Sequence, residues 1–176
     1  MARDRGLTLI ELLLVTALLA AGAVVATPLL TEHSAAWEAR RTAGELAGAL
    51  RHARAEATAR NHRVTLCRSP DGEHCPWEPS NPPDPGGWER GWILFVEHPA
   101  GMRQVLQIRR FDDPRIQATG NTPVRDYVSF TGLGAARRRH GGLQIGTLSV
   151  CGNRNGYAIV LSRSGRIRLH PTTCAA

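Results

Sequence analysis

The stretch Arg5-Gly6-Leu7-Thr8-Leu9-Ile10-Glu11-Leu12-Leu13 opens the longest apolar run of the chain. Six residues precede Leu7, with Arg3, Asp4 and Arg5 among them; from Leu7 to Leu30 the only charge is Glu11. As a helix, this run of 24 residues spans roughly 36 Å, enough to cross the hydrocarbon core of a bilayer. An ordinary secretory signal has an apolar stretch of about 7–15 residues followed by a small-residue cleavage site. A carboxylate inside an apolar span costs a few kcal/mol, so it normally signals a specific partner. Near one end that cost is softened by snorkelling toward the interface. The spacing alone therefore leaves both a partner for Glu11 and a tolerated outlier open.

A short basic leader, a Gly, and an apolar helix with Glu at its fifth position stand here in one register, and the segment resembles the start of a type IV prepilin. The resemblance implies cleavage between Gly6 and Leu7 by a prepilin peptidase and N-methylation of Leu7. It also implies an assembly role for Glu11, which would meet the positive terminal amine of a neighbouring subunit. Pilins usually begin the mature chain with Phe, and Leu7 departs from that. Pro28 fits a helix that bends, because it removes one backbone donor. The implied organisation is a leader at 1–6, a transmembrane and assembly helix at 7–30, an amphipathic continuation at 31–62 and a periplasmic globular domain at 63–176. The protein would cross the bacterial inner membrane once and later enter a pilus or pseudopilus.

Beyond Pro28 the helical pattern continues from about Thr31 to Asn61. Trp37, Leu46, Leu50, Ala53 and Ala57 read as its apolar stripe, and charged residues fill much of the rest. Glu45 with Arg41 and Glu56 with Arg60 are helix neighbours that read as a solvated face. From Arg63 the period changes to that of strands: Val64–Cys67, Trp92–Val96, Val105–Ile108, Tyr127–Phe130, Leu143–Val150, Tyr157–Ser162 and Arg166–Leu169. Ser69–Gly91 holds six of the eleven prolines and reads as a long loop; His98-Pro99-Ala100-Gly101 reads as a turn. No strand–helix–strand alternation is present, so the sheets are expected to be antiparallel. The expected fold class is α+β: a long N-terminal helix, membrane-spanning in its first half, packed on antiparallel β-sheets, as in the type IV pilin fold.

The pilin-like start places the globular domain where disulfides persist. Three pairings of the four cysteines are possible, and the local one, Cys67 with Cys75 and Cys151 with Cys174, is preferred because each pair brackets a short segment. A zinc site built from Cys67, His74 and Cys75 is the sharper alternative, but the spacing has no familiar metal-ligand form. No cofactor is implied.

The formal charge is +7, and all 22 basic residues are arginine. A hydrophobic fraction of 42% and a charged fraction of 21% exclude a disordered acidic tail or a collagen-like rod. The last acid is Asp126, and seven arginines follow it: Arg137, Arg138, Arg139, Arg154, Arg163, Arg166 and Arg168. Residues 1–126 sum to zero, so the whole excess lies in the last 50 residues, which suggests an anionic partner for that end. A three-residue loop, Arg163-Ser164-Gly165, would pair Leu161 with Ile167 and Ile159 with Leu169, whereas a two-residue turn would mix apolar and charged groups on one face. The first register sends Arg166, Arg168 and His170 outward, with alternate residues about 6.6 Å apart, a spacing that suits a phosphate backbone.

Trp88-Glu89-Arg90-Gly91-Trp92-Ile93-Leu94-Phe95-Val96, after the Cys-bounded Asp71-Gly72 loop, and the closing Ser164-Gly165-Arg166-Ile167-Arg168 resemble the GspH/FimT group of minor pilins and pseudopilins. In FimT-like pilins a Gly-Arg-x-Arg motif in this place is linked to DNA binding during natural transformation, and Gly165, Arg166 and Arg168 match it. The resemblance thus implies phosphate contacts at Arg163, Arg166 and Arg168. Arg137, Arg138 and Arg139 would extend them if the fold brings the two loops together. Expected partners are DNA, other pilins or pseudopilins, the inner membrane and a prepilin peptidase. The rival is a structural tip pseudopilin of a type II secretion system that touches no DNA. No Gly-rich phosphate loop, zinc-protease helix motif or nucleophile elbow is present, so no enzyme is expected.

Overall fold

Helix α1 runs Leu9–Arg60. The computed structural model describes residues 9–78, 86–98, 101–111, 113–152 and 154–174, with the side chains of 24–33 outside the description. The leader, the Gly6–Leu7 junction, the side chain of Pro28 and the Pro99-Ala100 centre of the expected turn thus lie outside the described residues. The chain divides into two units, 1–34 and 35–176. In the first, Leu9, Ile10, Leu12, Leu13, Leu14, Val15, Leu18 and Leu19 are all exposed. A helix apolar around its whole circumference is one that other molecules cover. No stretch of described residues is by itself long and apolar enough to cross a membrane; the expected 7–30 span begins before Leu9 and ends among residues 24–33, whose side chains lie outside the description.

In the second unit, α1 turns a stripe of mostly small residues to the core: Ala35, Ala39, Ala43, Leu46, Ala47, Leu50, Ala53 and Ala57 are buried. Trp37 does not join it and is 68% exposed. Nine residues separate it from Leu46, which at 3.6 residues per turn sets it about 180° away. The phase of the alanines, not the bulk of the Trp, decides which face is buried.

Eight strands follow. The first sheet has the order β3-β2-β1-β5 and the second β4-β6-β7-β8, every pairing antiparallel. Their bounds are β1 Arg63–Arg68, β2 Gly91–Glu97, β3 Arg103–Arg110, β4 Gln117–Gly120, β5 Tyr127–Phe130, β6 Gly146–Cys151, β7 Asn155–Leu161 and β8 Ile167–Thr173. One core joins α1 to both sheets through Leu66, Leu94, Val128 and Phe130 of the first and Leu148, Ile159 and Leu161 of the second. Trp88 and Trp92 are buried in it, and the Trp88 indole donates to the Val124 carbonyl at 3.2 Å. Glu45 is more than a solvated helix charge, since besides Arg41 it holds Arg109 of β3 at 2.9 and 3.2 Å.

Three strands differ from the sequence reading, among them β8, which runs Ile167–Thr173 where Arg166–Leu169 was expected. β4 was not expected, because only Ala118 among its four residues is buried and no apolar alternation marks it. The strand expected from Leu143 starts only at Gly146. Gln144 is fully buried, and its amide accepts from the Ser129 N–H (2.9 Å) and donates to the carbonyls of Pro123 (2.9 Å) and Tyr127 (2.8 Å). A side chain thus takes the place of a backbone ladder. Gln144→Ala should lower stability by at least about 1–3 kcal/mol, the cost of orphaning the buried Ser129 N–H alone, in urea unfolding followed by tryptophan fluorescence.

The cysteines form Cys67–Cys75 and Cys151–Cys174. By loop entropy the first, closing a separation of 8, is worth about 2.5 kcal/mol and the second, closing 23, about 3.5 kcal/mol. Paired Cys→Ser replacement of Cys151 and Cys174 should therefore cost more stability than the same change at Cys67 and Cys75, measured by denaturant unfolding without reductant.

Candidate nucleic-acid interface

The β7–β8 hairpin pairs Leu161 with Ile167, Ile159 with Leu169, Val160 with Arg168 and Ala158 with His170. This is the register in which a three-residue loop separates apolar from charged side chains. Ser162 N–H donates to the Arg166 carbonyl (3.0 Å) and Gly165 N–H to the Ser162 carbonyl (2.9 Å), which closes the loop. Ile159 and Leu161 are buried, Ile167 and Leu169 half-buried, and Arg163, Arg166, Arg168 and His170 exposed.

Gly165 has φ +76° and is itself buried, which sequence alone did not indicate. A Cβ there would lie 2.1 Å from the Gly134 carbonyl oxygen. Gly134 (φ +71°) closes a second loop of the same build, Gly132-Leu133-Gly134, through Thr131 N–H to Ala135 O (3.0 Å) and Gly134 N–H to Thr131 O (2.7 Å). Arg54 of α1 donates from Nε to that same Gly134 carbonyl at 3.0 Å. The arginine loop is thus clamped, glycine against glycine, onto a turn that the helix pins.

Along the outer face of β8 stand Arg168 and His170, and Arg166 immediately precedes the strand. Beside Arg168 lie Val160 and then Thr147; beside His170 lie Ala158, Ser149 and Thr119. The face is flat, small-chained and free of carboxylates among the described residues. Elsewhere arginines are neutralised locally: Arg60 by Glu56, Arg68 by Asp126, Arg103 by Glu78, Arg109 by Glu45 and Arg115 by Asp113. Among the described residues the side chains of Arg137, Arg138, Arg154, Arg163, Arg166 and Arg168 have no hydrogen bond or ion pair.

Arg139 differs from its neighbours. It pairs with Glu97 of β2 at 3.3 Å, lies over the Trp77 ring at 4.6 Å, and its N–H donates to the Tyr127 hydroxyl. Arg137 and Arg138 are held through their carbonyls by Arg63, and the Arg137 N–H donates to the Ser129 carbonyl. The loop packed on the hairpin tip is Gly132-Leu133-Gly134, not Arg137–Arg139. Sequence spacing could not reveal this, because both loops lie between β5 and β6.

The Cys67–Cys75 loop offers no metal centre among the described residues. Both thiols are in the disulfide, and His74 Nδ1 is 2.8 Å from Asp71 Oδ2. Burial pushes the Asp71 carboxyl up, but N–H donors of His74 and Glu73, with the His74 ring and Ser69 hydroxyl, outweigh it and hold the group well below the usual range. The Asp71 carboxylate therefore stabilises the folded loop above the ordinary Asp range, and that contribution is lost on acidification.

Two family models match the chain: "Type II transport protein GspH" over residues 42–165 and "Prokaryotic N-terminal methylation motif" over residues 1–27. The chain belongs to the GspH family. Its fold is that of the type IV minor pilin FimU of Pseudomonas aeruginosa. Against one crystal form of FimU the TM-score is 0.57 at 21% identity, covering 81% of this chain and 92% of that one. A second crystal form gives 0.54 at 20% identity, covering 75% and 92%. No curated sequence matches. The GspH-family match ends at Gly165, just before Arg166 and Arg168, while the methylation motif covers Gly6, Leu7 and Glu11.

In this GspH-family chain, Gly165→Ala should loosen the clamp. The left-handed conformation alone costs about 1–2 kcal/mol for a residue with a Cβ, and the Gly134 contact adds to it. Urea unfolding should show a loss larger than that range, whereas Ser164→Ala at the exposed tip should change stability little.

Proposed function

We propose that this minor-pilin-family protein is anchored in the inner membrane by residues 7–30, displays its globular unit in the periplasm, and binds DNA without sequence preference for uptake in natural transformation. The observation that carries the reading is the set of C-terminal arginines whose side chains have no partner among the described residues; Arg168 stands on the outer face of β8, and Arg166 immediately precedes the strand. A guanidinium can donate two hydrogen bonds to one phosphate, and two such groups at strand spacing can follow a backbone. Arg163 extends the contact at the loop tip. Half-buried Arg137 and exposed Arg138 add charge as a second patch. Arg139 is left out, because Glu97 already balances it. The face lacks aromatic side chains, which favours phosphate contact over base stacking.

Processing supplies the subunit. Prepilin peptidase cleaves between Gly6 and Leu7, Leu7 is N-methylated, and Glu11 receives the terminal amine of a neighbouring pilin as the helix enters the pilus. A structural role in a type II pseudopilus is the second reading, favoured by the family description. Full-length protein in a non-ionic detergent separates the two by mobility shift with a short DNA duplex. Arg166→Gln and Arg168→Gln should each weaken binding and reduce the slope of log affinity against log salt by about 0.9. If wild type fails to bind at physiological salt, or the double variant binds equally, the structural reading stands instead.

A further inference from the structure

His170 follows Arg168 on the outer face of β8, two residues further along, and Arg166 precedes the strand. His170 is exposed and faces the same side as Arg168. Its cross-strand neighbour is Ala158, then Ser149 and Thr119, none of them charged. On its own strand the flanking positions of that face are Arg168 and Thr172, and on β7 they are Val160 and Gly156. β8 is the last strand of its sheet, so no further strand covers it. Arg154 lies at the far end of the hairpin, where its carbonyl accepts from the Cys174 N–H. No carboxylate faces the imidazole among the described residues.

We propose that His170 is a third phosphate contact, continuing the track of Arg166 and Arg168, and that its protonation makes the grip on DNA tighten as pH falls. Arginine stays charged throughout, whereas histidine is the side chain that changes charge between pH 5 and 8. Neutral imidazole offers one N–H; the imidazolium offers two and a full charge. Arg168 and His170 are about 6.6 Å apart along the strand, comparable with successive phosphates along one backbone, and Arg166 stands just before the strand begins. Ala158 beside the ring is too small to cover it, and no carboxylate of the described residues competes there with a bound phosphate. The inference rests on the DNA reading above and adds one residue and one regulation to it.

The test measures affinity of the full-length protein in non-ionic detergent for a fluorescein-labelled duplex, across a salt series at pH 5.5 and pH 8. For wild type the slope of log affinity against log salt should steepen by about 0.9 at the lower pH. A fourfold rise in salt then costs about threefold more affinity there than at pH 8. His170→Gln should show no steepening between pH 8 and pH 5.5. His170→Arg should give the steeper slope at both pH values, which also shows that the strand tolerates substitution. A wild-type slope independent of pH overturns the proposal, as does a His170→Gln variant that steepens like wild type through other histidines such as His140. Absence of wild-type binding at both pH values removes the DNA reading itself and this inference with it.

Discussion

The burial of an alanine-rich helix face against two sheets at once is the contact on which the rest of the globular unit depends. Ala39, Ala43, Ala47, Ala53 and Ala57 contribute little area each, but their size lets the backbone of α1 come close enough for both sheets to share one core. Leu46 and Leu50 supply the bulk between them, and Trp88 and Trp92 close the space from the sheet side. Without that shared core the two four-stranded sheets would each expose an apolar face. The same helix reaches the functional end, because Arg54, one position past buried Ala53, pins the Gly134 carbonyl on which Gly165 rests.

Charge follows a division of labour along the chain. In the body, acids and arginines occur in equal number and meet each other, often across elements, as Glu45 meets Arg109 and Asp126 meets Arg68. Beyond Asp126 the acids stop, and the arginines that follow either borrow a body acid, as Arg139 borrows Glu97, or face solvent. A cation that has no internal partner keeps its full charge for whatever anion it meets. The positive excess is therefore local, concentrated on a hairpin whose backbone is held from both ends: by the glycine clamp at the tip and by the Cys151–Cys174 bridge at the base.

Much of this was legible in the chain, for identifiable reasons. The hairpin register followed from one requirement, that Ile159, Leu161, Ile167 and Leu169 share a face, and any slip would have exposed them. The antiparallel class followed from the absence of crossover helices. Other features depended on contacts remote in sequence. β4 has almost no pattern of its own and forms because β6 offers it an edge. Gln144 reads as a polar residue in a strand and is instead a buried staple for three backbone groups. Trp37 was misplaced because size was weighed above helical phase.

The sequence by itself determined the apolar N-terminal run with its lone Glu11, the α+β class, the hairpin and the location of the charge excess, since periodicity and composition act over neighbouring residues. Only the tertiary structure decided which arginines stay without partners. That depends on which carboxylates the fold carries within reach, and Glu97 lies 42 residues from Arg139 in the chain yet 3.3 Å from it in space. It also decided that Gly165 serves close packing as well as a turn, because the atom that forbids a side chain there belongs to Gly134, in a loop the chain reaches two strands earlier.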